Sequence, residues 1–179
     1  MRRILRHTAI ASAACAAASS PAVGAWLSPC ATAHLVASWK HDGFWRTSAI
    51  VDPPKSVDGH QVRYLGRVRA AGGRNYKIYY DQSTNPETAT RHSHTDLVVT
   101  TAGGRFLGYY EIADDELEPV GVGGADVLFN SSKAYGDRIH FGRGGAPPNV
   151  RLNDGRYEFD KAEGGKPDPG PRVSAYCRR

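Results

Sequence analysis

The chain has little of what usually betrays a function. It holds one methionine and three cysteines in 179 residues. No apolar run approaches the ~20 residues that a bilayer-spanning helix needs, which excludes a membrane anchor of that kind. No Gly-x-Ser-x-Gly elbow occurs, so the usual α/β-hydrolase nucleophile is missing. Two glycine-rich stretches, Gly121-Val122-Gly123-Gly124 and Gly142-Arg143-Gly144-Gly145, lack the Lys-Ser/Thr of a phosphate loop. Neither leads into a helix, so both read as turns. No window of helical length repeats its apolar residues at the 3.6 period. At most one turn of helix is expected, in Ala113–Glu118 or Ser131–Tyr135.

Acidic residues are absent before Asp42, and that absence frames the clearest text in the chain. Arg2, Arg3 and Arg6 precede an Ala-rich, weakly apolar stretch from Thr8 to Ala18. Ser19-Ser20-Pro21 and then Val23-Gly24-Ala25 follow, with small or short side chains where a signal peptidase reads. The expectation is a cleaved signal peptide over 1–25 and one mature domain over 26–179, periplasmic or secreted. A lipoprotein acylated at Cys15, after Ser12-Ala13-Ala14, is the alternative, although Ser12 stands where a larger aliphatic residue is usual. Loss of three arginines leaves 20 basic residues against 18 acids. A balance that even gives no reason to expect a nucleic-acid partner.

Cys15 leaves with the leader, and Cys30 and Cys177 remain near the two ends. An even pair in an oxidising compartment predicts a disulfide. Termini of compact domains often lie close enough to be joined.

From Leu35 on, short β-type runs alternate with Gly, Pro, Asn and Asp. The candidate strands are 34–40, 44–51, 60–70, 74–81, 94–101, 106–112, 126–129, 137–141, 149–152, 156–160 and 172–177. The pattern predicts an all-β domain, an antiparallel sandwich or partly closed barrel of about 8–11 short strands. The best-defined piece is a hairpin over 61–81. Val62, Tyr64, Gly66, Val68 and Ala70 alternate with Gln61, Arg63, Leu65, Arg67 and Arg69. A three-residue Ala71-Gly72-Gly73 loop sets Val68 against Tyr76, Gly66 against Ile78, Tyr64 against Tyr80 and Arg63 against Asp81. Ala-Gly-Gly-Arg recurs at Ala102–Arg105 before a second hairpin, whose register the pattern leaves open.

Three constellations invite chemistry. His92, His94 and Asp96 alternate along an extended chain, so two imidazoles and a carboxylate are placed to share a divalent ion such as zinc. The competing reading is a polar edge, with Leu97 and Val99 inward and His94 and Asp96 toward water. Ser93 beside the same histidines makes a triad only on paper, because neighbours on a strand point apart. Arg63, Arg67, Arg69 and Lys77 share the outer face of the first hairpin and suggest an anionic partner such as a glycan, lipid headgroup or acidic protein. Tyr79 and Tyr109 on outer faces would add a contact platform. Trp39, Trp45 and Tyr64 are expected in the core. The sequence reading is therefore an exported, non-catalytic binding protein without a cofactor. A metal-binding protein and a small secreted hydrolase are the alternatives.

Overall fold

The computed structural model describes residues 24–44, 59–84, 93–112, 117–130, 137–162 and 177. One helix, α1 (Pro29–His41), precedes nine strands: β1 (His60–Arg69), β2 (Asn75–Thr84), β3 (Ser93–Thr101), β4 (Phe106–Glu111), β5 (Glu118–Gly123), β6 (Asp126–Asn130), β7 (Arg138–His140), β8 (Asn149–Leu152) and β9 (Gly155–Lys161). They form a six-stranded antiparallel sheet in the order β1-β2-β3-β4-β9-β8 and a three-stranded sheet, β5-β6-β7. The all-β, sandwich-like expectation holds. No helix among the described residues is long and apolar enough to cross a membrane.

The large sheet buries both faces. On one side Leu65, Val68, Ile78, Leu97, Val99 and Tyr110 pack with Val127, Phe129 and Ile139 of the small sheet. On the other, Val62, Tyr79, Val98 and Phe106 pack with Val36 and Trp39 of the helix and with Phe44. A β-bulge in β1 decides which residues go where. The ladder pairs Tyr64 with Tyr79 and Gly66 with Ile78, leaving Leu65 as the extra residue. Beyond it Val68 faces Tyr76 and Arg67 faces Lys77, as expected. Before it every side chain changes sides. Arg63 pairs with Tyr80 rather than Asp81, and Tyr64 with Tyr79 rather than Tyr80. Gly66 makes the bulge possible: its φ is +133°, and a Cβ there would stand 2.4 Å from Val122 Cγ2.

The run 34–40 is helix, not strand. Ser28 caps it by accepting a bond from the Ala31 amide, and Pro29 fills the first turn, where its missing N–H costs nothing. The buried residues Thr32, Ala33, Val36, Trp39 and Lys40 follow helical spacing. Two of them are polar or cationic, which hides the stripe from an apolar-periodicity search. Expected strand 44–51, apart from Phe44, and expected strand 172–177, apart from Cys177, lie outside the described residues, as does Trp45. Strand β5 was not expected. Pro119, Gly121 and Gly123 read as turn text, yet an edge strand tolerates them.

Cys30, at the start of α1, and Cys177 are bonded, with a Cα–Cα distance of 5.3 Å across a separation of 147 residues. Chain-entropy reasoning gives such a closure about 5 kcal/mol as an upper estimate. His34 Nε2 lies 2.9 Å from the Cys177 carbonyl oxygen, a second tie at the same place.

Candidate anion-binding cleft

Both Ala-Gly-Gly-Arg segments close three-residue loops with the same hydrogen bonds, although Gly72 takes a positive φ of +98° and Gly103 does not. In the first, the Ala70 amide donates to the Arg74 carbonyl at 2.9 Å and Gly73 donates to Ala70 at 3.1 Å. In the second, Thr101 donates to Arg105 at 2.8 Å and Gly104 to Thr101 at 2.9 Å. Gly73 and Gly104 take φ of +82° and +96°, the left-handed step that closes a three-residue hairpin loop. The second hairpin thus closes on three residues. A register shift between Val99 and Thr100 then leaves Leu107 extra and sets Val99 against Gly108.

The arginine ending each turn opens the next strand, Arg74 before β2 and Arg105 before β4. Alternate strands of an antiparallel sheet run the same way, so both arginines emerge at one end of the sheet. β9 runs opposite to β4 and brings Lys161, near its finish, to the same region. These three cations line a cleft of about 820 Å³, with Leu107, Phe159 and Pro147 among its apolar walls. Among the described residues no acid lines it. His140 also lines it, but its ring is engaged by Asp126 at 2.7 Å. Arg105 and Lys161 have no ion-pair partner among the described residues, and the Arg74 head donates to the Arg143 carbonyl.

The opposite wall is the loop Gly142–Pro148, held from beneath. Tyr110 O–H donates to the Pro147 carbonyl at 2.7 Å. Burial raises the Tyr110 pKa well above the usual phenol range, so the phenol stays a donor. Tyr76 lies directly under Gly145, where a Cβ would meet its hydroxyl at 2.6 Å. Gly108, with φ +153°, lets the Phe159 ring and the Asp160 carbonyl approach β4. The cleft is therefore shaped before any ligand arrives. The glycine-rich stretch at Gly142 is indeed a turn, but one that forms a wall of the site.

The residues proposed from sequence are dispersed. His92 lies outside the described residues. His94 is partly exposed and meets Glu111 at 3.2 Å. Asp96 is fully buried rather than turned to water, because the helix covers that face. Among the described residues no group of three or more His, Cys, Asp or Glu side chains is placed to hold a metal. Arg67 and Arg69 are exposed and share a face with Lys77. Arg63 lies on the opposite face, bonded to Glu118 at 2.8 Å and the Pro119 carbonyl at 2.9 Å. Its guanidinium sits over the rings of Trp26 and Tyr80. Tyr79 is not an outer platform. It is buried against Trp39 and Tyr64, and burial, then the neighbouring Tyr64, push its pKa up to about 12. Tyr109 is half-buried against Phe44.

A buried pair that sequence reasoning missed lies beside Phe44. His60 Nδ1 is 2.8 Å from Asp81 Oδ2, and both side chains are sealed from water. His60 Nε2 is buried without a hydrogen-bond partner among the described residues. The pair has the form of a base and its orienting carboxylate. Among the described residues nothing hydrogen-bonds to Nε2 as a nucleophile would.

No protein family, curated protein or solved structure matches the chain.

Proposed function

We propose that the protein is exported and acts, without catalysis, as a binding protein that takes an anionic ligand in the cleft of Arg74, Arg105 and Lys161. One observation carries the reading: three cations, two from turns and one from a strand end, line one preformed cleft that no acid among the described residues lines. Such a cleft raises the local concentration of anions, and its apolar walls strengthen each charge contact. Export is supported by the arginines and small residues of the first 25 positions, and by a cysteine pair at bonding distance. The proposed cut after Ala25 keeps the Leu27 amide bond to Val62 and removes the Gly24 amide bond to Tyr64.

The test is thermal unfolding of disulfide-intact protein in sulfate, citrate, polygalacturonate and polyglutamate, each against chloride at equal ionic strength. At least one anion should raise Tm, because a ligand of the native state at a hundred times its Kd adds about 2.7 kcal/mol. The Arg74→Glu/Arg105→Glu variant should lose that rise. Absence of any rise, or an equal rise in the variant, defeats the reading.

A further inference from the structure

Resting on that reading, we infer that the ligand is an acidic polysaccharide, a chain of uronate or sulfated sugar units laid along the cleft, rather than a small anion. The placement of the cations is the first argument. β2 and β4 are separated by β3, so Arg74 and Arg105 are anchored roughly 10 Å apart at ~4.8 Å per strand. Lys161 pairs with Gly108, three residues along β4 from Arg105, which again is roughly 10 Å at ~3.4 Å per residue. Arg74 is also tethered through the Arg143 carbonyl, which restricts its swing toward the other two. One phosphate or carboxylate therefore does not answer all three charges without drawing the held Arg74 and the other two side chains inward. A chain with anionic groups repeated along its length does.

The walls favour a sugar chain over an acidic peptide. A peptide bound as an added strand needs unpaired backbone groups along the edge it joins. Here the Phe159 amide is spent on Pro148, the Ala162 amide on Leu107 and the Gly145 amide on Gly142. The Pro147 carbonyl is taken by Tyr110, and prolines 147 and 148 have no N–H to offer. Between the separated cations the lining includes apolar surface from Leu107, Phe159 and the prolines. The C–H faces of pyranose rings cover such surface while their acid groups reach the arginines and lysine.

The experiment is calorimetric titration of the disulfide-intact protein. The ligands are galacturonate, oligogalacturonates of increasing length, a sulfated oligosaccharide and an oligoglutamate of matched charge. Affinity should rise with oligogalacturonate length and then level, with the monomer at least tenfold weaker than the plateau. By analogy with single-stranded polyanions, three contacts give log K against log salt a slope of about −2. Arg105→Gln should flatten that slope by about one, whereas Arg67→Gln, on the separate hairpin face, should leave it unchanged. The sulfated chain tells whether sulfate groups are taken as well as carboxylates, and binding of either acidic sugar supports the inference. Equal or tighter binding of oligoglutamate assigns the cleft to acidic peptides and overturns the inference. Affinity independent of length also overturns it, but leaves the cleft as a small-anion site. Binding to none of these ligands removes both readings.

Discussion

Replacing Gly66 with alanine tests the feature that arranges β1. At φ +133° an L-residue occupies a sparsely allowed region, at about 1–3 kcal/mol. The new methyl also meets Val122 Cγ2 at 2.4 Å, far inside contact distance. Overpacking of that kind adds about 1–3 kcal/mol. Gly66→Ala should therefore lose about 2–6 kcal/mol. The two parts separate in a double-mutant cycle. Val122→Ala deletes the clashing methyl but leaves the backbone strain, so Gly66→Ala in that background should cost only the first part. The coupling should favour the double variant by about 1–3 kcal/mol. Urea unfolding with the disulfide intact reads all four proteins, and equal m values license the comparison. A coupling within about 0.5 kcal/mol of zero, or a Gly66→Ala loss under about 1 kcal/mol, would refute the packing of β1 against β5 and the bulge built on it.

Because of the bulge, Arg63 and Arg67 should behave oppositely in urea unfolding. Arg63→Ala should lose about 1.5–3 kcal/mol with its charged hydrogen bonds and ring contacts, while Arg67→Glu stays within about 0.5 kcal/mol of wild type; similar losses at both sites would contradict the face assignment. His60→Ala strands a buried carboxylate and should cost about 3–5 kcal/mol, whereas His60→Phe/Asp81→Leu recovers much of it. Single variants within about 1 kcal/mol of wild type in the same assay would mean that water reaches the pair. Tyr79 is protonated in the folded chain up to about pH 12, while an unfolded tyrosine ionises near pH 10. The unfolded state then binds fewer protons, so the stability is full below pH 10 and declines between about pH 10 and 12. Tyr110, raised in the same direction, adds to the decline. Stability measured across that window should be flatter in Tyr79→Phe, and an unchanged slope would contradict burial of the phenol.

Residues adjacent in the chain decided what could be read without coordinates. Gly-Gly turns, period-two alternation and two distant cysteines act through local geometry and chain statistics, so the hairpin at Ala71–Gly73, the β class and the Cys30–Cys177 pairing were legible. The helix at Pro29–His41 left a cap signal in Ser28 and Pro29, but its buried stripe includes Thr32 and Lys40, which a search for apolar residues passes over. The cleft also left a trace, because the repeated Ala-Gly-Gly-Arg placed an arginine after each turn. Whether those arginines meet depends on strand direction and sheet order, which no local pattern encodes. Burial of Asp96, Asp81 and Tyr79 was decided only by the helix and Phe44 lying over a sheet face that alternation alone assigned to water. A strand pattern records that two faces differ and cannot say whether the second is covered. Tertiary packing settles that, and with it which charges remain free to bind.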